Sequence, residues 1–475
     1  MGYRSSYITS ARVLVQSDPN PHLDQMPFSV LGSCATAFLV VTATYLVKRA
    51  LDSRSHDVNL LRGPSPASWL FGSLPEMFLP HNYGDHEYRW ANEYGGVYRL
   101  QGVLGQTRLM VSDPVALNYL LKNDDAFYAP MILAVVTALY GRRNPMSLKD
   151  DPHRRLRAGL SVGFTPTVIK EYLDTFKAVA SRITDSLLER KQGAVVDLIP
   201  NLSVATLSAI GQAAVGRSIE SLDPDLNEAV FNVLSLAPRY GYPQFLMEEL
   251  ASHLPASFLD WMFSNAPMRL FSMTRQTKAL CSDLGEQIVA ELTANKDTVE
   301  ANHLFAKILA GNSSKSLPTD LLVDQTSILL IAGQDTTTNT LAFALVELAR
   351  NPALQAGLRA ELLDAETDGG FDSLPLLNAV IKETLRLYPA EPISEKVALV
   401  DLTIPLGKPT TLKDGRVVSE LFVRKGQYIG CGFAAYHRSP DCWGPRPEVF
   451  DPYRWVNNQV SPAGETMASS PYSNL

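Results

Sequence analysis

The chain has four cysteines in 475 residues, Cys34, Cys281, Cys431 and Cys442, and no C-x-x-C pair among them. So few and so scattered, they exclude a disulfide-stapled scaffold and a cysteine-rich zinc site, and they fit a reducing, cytosol-facing environment. G-x-S-x-G, H-E-x-x-H, G-x-x-x-x-G-K and G-x-G-x-x-G patterns are missing as well. A nucleophile-elbow hydrolase, a zinc protease and the common nucleotide-binding loops therefore find no support. Charge is sparse at 19% of residues, with a formal net of -7, so the balance of charge does not suggest a general affinity for nucleic acid or anionic lipid. There is no internal repeat and no low-complexity tract.

What remains is a chain with 46% hydrophobic and 9% aromatic residues, long enough to bury a substantial core. Phe28 to Val47 runs for twenty residues without a charge. As a helix rising about 1.5 Å per residue it would cover roughly 30 Å of hydrocarbon, one membrane span. A buried core helix is the plainer alternative. Lys48, Arg49, Arg54 and Arg62 follow the run while Arg4 and Arg12 precede it, which places the large C-terminal part in the cytosol. Leu61 to Leu74, with Pro64, Pro66, Gly63 and Gly72, reads as a stiff hinge that blocks a continuous helix. The expected organisation is a tail over 1–27, an anchor over 28–47, a linker and hinge over 48–74, and one large domain over 75–475.

Within that domain, VYRLQ and TRLMV flank Gly102-Val103-Leu104-Gly105, a hairpin pattern. Most of the chain beyond this hairpin reads as helical. The strongest pattern spans Leu321 to Arg350, opened by Pro318-Thr319-Asp320 and stopped by Asn351-Pro352. It is apolar on nearly all sides, which predicts a place in the middle of the protein. Helices are expected over Ala353 to Glu366 and Pro375 to Leu387, with strand-and-turn sequence from Val397 onward. The expected fold class is mainly α with a small β-rich part.

A polar interruption, Ala332-Gly333-Gln334-Asp335-Thr336-Thr337, breaks the long helix. Ala332 and Gly333 leave little bulk, so a flat or small group has room at the backbone, while Asp335 and Thr336 set an acid beside an alcohol. The plainer account has the Thr hydroxyls bonding back to preceding carbonyls and the Asp facing solvent. Further on, Glu383 and Arg386 stand three apart on one helical face and can pair.

Order and context add to these fragments. An A-G-x-D-T-T helix, then E-x-x-R some fifty residues on with Leu387-Tyr388-Pro389, then Ala435-Tyr436-His437-Arg438, then Phe450-Asp451-Pro452-Tyr453-Arg454-Trp455, together resemble the cytochrome P450 family. Several matched regions look most like its fungal members. The resemblance implies the P450 fold and a haem-dependent monooxygenase inserting one oxygen atom of dioxygen into an apolar small molecule. Haem b with its iron would be the cofactor, and electrons would come from NADPH through NADPH-cytochrome P450 reductase. It also implies a single-pass placement in the endoplasmic reticulum membrane, a role in fungal secondary metabolism, and no nucleic-acid partner.

By the same resemblance Asp335 and Thr336 would help deliver protons, and Ala332 and Gly333 would lie against the haem. Glu383, Arg386 and Arg454 would brace the core. His153 and Arg157, in His153-Arg154-Arg155-Leu156-Arg157, and Lys396 would meet the haem propionates, the guanidinium fork suiting a carboxylate. A solvated basic helix face is the alternative for His153 and Arg157, as is a docking patch of Arg142, Arg143, Arg154 and Arg155 for an acidic electron donor. The apolar stretch from Arg239 to Met273, with Phe258, Trp261, Met262, Phe263 and Phe271, would cover the substrate entrance; ordinary core packing is the competing explanation.

One part of the family pattern has no counterpart here. The haem-thiolate cysteine stands in F-x-x-G-x-R-x-C-x-G, downstream of the P-x-R-W segment, because an electron-rich thiolate on iron favours O–O cleavage. Around Cys442 only Gly444 falls in register, and around Cys431 every marker fails. The expectation is a catalytic domain incomplete at its C-terminus, a fragment of an active monooxygenase. The alternative is a haem-free, membrane-anchored small-molecule-binding remnant.

Overall fold

Val97–Gln101 and Thr107–Val111 form strands β1 and β2, paired antiparallel with Val97 opposite Val111 and Gln101 opposite Thr107. The turn between them bends at Leu104 and Gly105, both at positive φ, so the loop needs one glycine and strains one leucine. In the computed structural model the described residues are 57–457, apart from 83, 129–135, 191–192, 219–220, 235–240, 253, 255, 267–268, 295–302, 311–316 and 366–370. The span expected over Phe28 to Val47, and Cys34 with it, lies outside them.

Strands β3 (Phe127–Tyr128), β4 (Ile393–Ala398) and β7 (Tyr428–Gly432) complete a five-stranded sheet in the order β1-β2-β7-β4-β3. The β2–β7 pair is parallel and joins segments more than three hundred residues apart. Strands β5 (Leu402–Thr411) and β6 (Val417–Val423) form a separate antiparallel ribbon. The expected strand region beyond Val397 thus starts a few residues early, at Ile393.

The longer helices are α1 (Asp85–Tyr94), α2 (Pro114–Lys122), α3 (Asp150–Leu160), α4 (Leu173–Leu188), α5 (Leu198–Ile210) and α6 (Pro224–Leu234). They continue with α7 (Tyr242–Ser252), α8 (Ala256–Asn265), α9 (Arg269–Ala294), α10 (Gln325–Arg350), α11 (Pro352–Asp364) and α12 (Pro375–Leu387). Start signals do what the sequence asks of them: Asp113 caps α2 by accepting from the Val115 and Ala116 amides, and Asn351 caps α11 through Leu354.

Two cores result. One lies against the sheet, where Leu109, Val111, Ile429 and Cys431 meet Leu117 and Leu120 of α2. The other is helical, uniting Leu156 of α3, Leu207 of α5, Val230 of α6, Ile288 of α9 and Leu330 of α10. Gly285 lets α9 press onto α10, since a Cβ there would stand 2.4 Å from the Thr326 hydroxyl. Among the described residues one helical stretch, Leu198–Val215, is long and apolar enough to cross a membrane by length and composition; it packs against α10.

The expected thirty-residue helix is divided. A short helix, Thr319–Val323, precedes α10. The central position expected for it holds for one half: Leu330, Ile331 and Gln334 are buried, but Leu341, Leu345 and Val346 are about 40% exposed. All-round apolarity therefore marks full burial only where neighbours surround the helix, and in the C-terminal half of α10 several apolar side chains stay partly exposed.

Candidate active site and the brace behind it

Glu383 and Arg386 lie one turn apart on α12, fully buried. A carboxylate and a guanidinium tolerate that only if their bonding capacity is filled. Here it is. Arg386 donates from Nη2 to Glu383 Oε1 and from Nε to Oε2, both at 2.8 Å. The Asp451 amide (2.8 Å) and Arg454 Nε (2.9 Å) also donate to Oε1, and Trp455 Nε1 donates to Oε2 at 2.9 Å. Arg386 Nη1 reaches the carbonyls of His437 and Pro447, each at 2.6 Å, and Arg454 Nη1 the carbonyl of Trp443 at 3.0 Å. Burial alone would raise the Glu383 pKa, but the Arg386 bonds outweigh it and hold the carboxyl below the usual range.

The Ala435-Tyr436-His437-Arg438 segment joins the same cluster. Arg438 donates to the Leu387 carbonyl at 2.6 Å and lies 4.2 Å from the Tyr88 ring centroid. His437 is 3% exposed, and among the described residues neither ring nitrogen has a hydrogen-bond partner. Burial, with Arg386 and Arg438 nearby, pushes its pKa down to about 3, so the ring is neutral.

On α10 the polar interruption faces two ways. Gly333 turns toward α5, where a Cβ would stand 2.8 Å from Ile210 Cγ1, and the Thr338 hydroxyl bonds Thr206 of α5 at 2.7 Å. Gly333 therefore permits close packing of α5 on α10. Asp335 is half-buried and Thr336 exposed. The Thr336 hydroxyl donates to the Ala332 carbonyl at 2.9 Å, the back-bond that the plainer account anticipated. Burial lifts the Asp335 carboxyl pKa, opposed by Asn339. Tyr388 ties this helix to α12: its ring stacks on Phe343 at 4.2 Å and its hydroxyl donates to Glu347 Oε1 at 2.6 Å.

Of the three cations expected at the propionates, Lys396 and His153 gather near Asp124. Lys396 forms an ion pair with Asp124 and lies 5.9 Å from the Phe127 ring centroid. Lys149 approaches the same carboxylate at 3.9 Å while donating to the Phe127 carbonyl at 2.9 Å. His153 is half-buried on the first turns of α3, near enough to help draw the Asp124 pKa down, while Arg157 is exposed one turn on. Asp124 and Lys149 escaped the sequence reading, since nothing in their local pattern marks them and their partner Lys396 is far along the chain. Trp455 escaped it too, although its place in F-D-P-Y-R-W was visible. Arg143, expected as part of a docking patch, is spent on Asp320 (2.5 Å) and Asp324 (2.6 Å), and Arg154 pairs with Asp151.

A P450 haem requires a thiolate facing the iron. Cys281 is buried in α9 beside Ser327, and Cys431 is buried in the middle of β7; burial pushes both thiols up to about 12. Cys442, in the short helix Pro440–Trp443, is also held above its ordinary value by burial. Cys281 is packed inside the helical core, Cys431 inside the sheet core with Cys442 against it, so none of the three presents its sulfur to an open site. The cations around Asp124 suit carboxylates, but the thiols present do not supply the axial donor, so the described residues do not complete a haem site.

A profile of the family described as "Cytochrome P450" matches residues 62–474, and the chain belongs to that family. It is by family an oxidoreductase of the P450 monooxygenase class. Its relatives include "Cytochrome P450 monooxygenase claO" of Ampulloclitocybe clavipes, 29% identical over 84% of this chain and 78% of that one. "Cytochrome P450 monooxygenase 219" of Postia placenta is 28% identical over 92% of this chain and 85% of its own. Among solved structures, the retinoic-acid-bound cyanobacterial CYP120A1 aligns with a TM-score of 0.62 at 19% identity, covering 87% of this chain and 85% of that one, a likeness of fold.

Proposed function

We propose that this chain carries the substrate-binding and oxygen-side portion of a haem-dependent monooxygenase, which inserts one oxygen atom of dioxygen into an apolar small molecule in fungal secondary metabolism. The observation that carries the reading is the filled Glu383–Arg386–Arg454 cluster, tied through Tyr388 to the helix that bears Asp335 and Thr336. A buried ionic cluster of this completeness is costly to keep unless a core is built on it. The monooxygenase names of the fungal relatives support the reaction class and the fungal setting.

In this reading haem, when bound, supplies the oxygen chemistry, and its thiolate comes from sequence outside these 475 residues. His153, Arg157 and Lys396 would offer cations to its carboxylates, and Asp335 and Thr336 would hold protons on the oxygen side. NADPH-cytochrome P450 reductase provides the electrons. Phe28–Val47 anchors the enzyme in the endoplasmic reticulum membrane. The aromatic stretch that includes α7 and α8 covers the substrate entrance: Phe258 and Trp261 stack at 5.8 Å and stay exposed, as an apolar lip would.

Transcript sequencing past Leu475 is the first test. A reduced carbon-monoxide difference spectrum on the longer product is the second. A thiolate-type Soret band supports the proposal; a product without one, with an intact apolar pocket, leaves the haem-free binding remnant as the correct reading.

A further inference from the structure

Arg108 and Glu395 stand on β2 and β4, with β7 between them. In register Arg108 is opposite Tyr428 and Glu395 is opposite Gly430. The guanidinium passes 4.8 Å from the Tyr428 ring centroid and closes an ion pair with Glu395 across the intervening strand, while Met110 fills the space beside Gly430. Arg108 is 7% exposed, so it needs partners on every side. Its Nε donates to Gln106 Oε1 at 3.2 Å, and Gln106 Nε2 donates in turn to Glu249 Oε1 at 3.5 Å. Glu249, 5% exposed, belongs to α7.

The line Glu395–Arg108–Gln106–Glu249 is directional. Gln106 offers its carbonyl oxygen to the cation and its amide hydrogens to the carboxylate, and no other single side chain of that length does both. Around it, α7 also meets the hairpin region through apolar and aromatic contacts, which carry no direction. Phe245 is buried with Leu74 and Val103, Phe71 lies 5.1 Å from Tyr242, and Phe78 lies 6.3 Å from Phe245. Such a cluster lets a helix rock, whereas a chain of hydrogen bonds sets one position. The Gln106–Glu249 link, the longest of the chain, is where it parts.

We propose that Arg108 and Gln106 are positioning residues: through this relay they fix α7 against the sheet and couple it to β4, so that the segment covering the substrate entrance moves only when the Gln106–Glu249 link opens. The proposal rests on the entrance reading given above for its functional meaning, while the coupling itself does not need it.

The test uses the full chain with four variants, Gln106→Leu, Gln106→Glu, Glu249→Leu and Glu249→Gln, and two readouts. Hydrogen exchange is followed at Tyr242–Ser252, Ile393–Ala398 and Gln325–Arg350, and uptake of Nile red serves as an apolar probe. Both Gln106 variants and Glu249→Leu should raise exchange in α7 and β4 by about fivefold, the effect of one lost hydrogen bond on local opening, and leave α10 unchanged. Glu249→Gln, whose carbonyl oxygen still accepts, should restore the wild-type pattern. Unchanged α7 exchange in both Gln106 variants overturns the relay, and so does an equal rise in α10, which would mark general loosening. Faster Nile red uptake in the variants with raised exchange supports the entrance reading; raised exchange with unchanged uptake keeps the relay and removes that reading.

Discussion

Glu383 and Thr336 belong to two parts of one family pattern, yet their surroundings differ. Glu383 receives five hydrogen bonds from Arg386, Asp451, Arg454 and Trp455 and is 0% exposed. Thr336 is exposed and bonds its own helix, and further along that helix Leu341, Leu345 and Val346 remain about 40% exposed on other sides of it. Everything the first region needs lies within the described residues. The second leaves apolar side chains partly exposed on more than one side of its helix. The cluster around Glu383 is thus closed, and the helix that carries Thr336 is covered only in part.

The largest effect should come from emptying the brace. Glu383→Ala leaves Arg386 and Arg454 as buried cations without their carboxylate, and should cost about 3–5 kcal/mol in urea unfolding. Acid gives the same result by another route. With a folded pKa below its ordinary 4.5, Glu383 contributes stability above that value, lost as the pH falls through the depressed one. A wild-type acid transition that Glu383→Ala leaves unaltered would break the contrast between the two regions.

Glu87 works with the opposite sign on the same side of the molecule. It is buried in α1, accepts from the Ala435 amide at 3.1 Å, and burial raises its pKa from 4.5 to about 7. The folded state therefore holds a proton that the unfolded chain gives up between those values, and stability falls as the pH rises through that window. Glu87→Gln removes the charge and keeps the acceptor. It should be more stable than wild type by on the order of 3 kcal/mol at pH 8, with the gap closing toward pH 5. Equal stability at pH 8 would show that Glu87 is ionised without penalty.

On the α10 side, Gly333→Ala should cost about 1–3 kcal/mol, because its Cβ meets Ile210 of α5 at 2.8 Å. A change below that range would mean that α5 yields easily. A collapse of the near-ultraviolet dichroism would mean that the α5 contact holds the helix more firmly than the exposed half implies.

How much of this was legible depends on how far apart the partners are in sequence. Glu383 and Arg386 show themselves because three residues make one helical turn, and Pro375–Leu387 was delimited as expected from its proline and apolar spacing. The hairpin of β1 and β2 was equally local. The Ile210 contact of Gly333 was not legible, because a glycine in a helix reads alike whether a ligand or another helix approaches it. Lys149, Asp124 and Lys396 come together only once β3 pairs with β4, and Gln106 meets Glu249 only when α7 settles on the hairpin. No local period encodes either meeting.

The smallest effect is the one that bears most directly on the comparison. Leu345 is 40% exposed on α10, so in the chain of 475 residues Leu345→Ser should change stability by less than about 0.5 kcal/mol. In a longer product whose added residues pack on Leu345, which lies across α10 from Thr336, the substitution should cost about 2–4 kcal/mol, as removal of a buried leucine side chain does. Urea unfolding of both products with and without the change reads the difference. If Leu345→Ser costs nothing in either, the side of α10 at Leu345 is an ordinary surface and the contrast between the closed cluster and the partly covered helix is a feature of the whole enzyme; if it costs the larger amount in both, residues already in the chain cover α10 there.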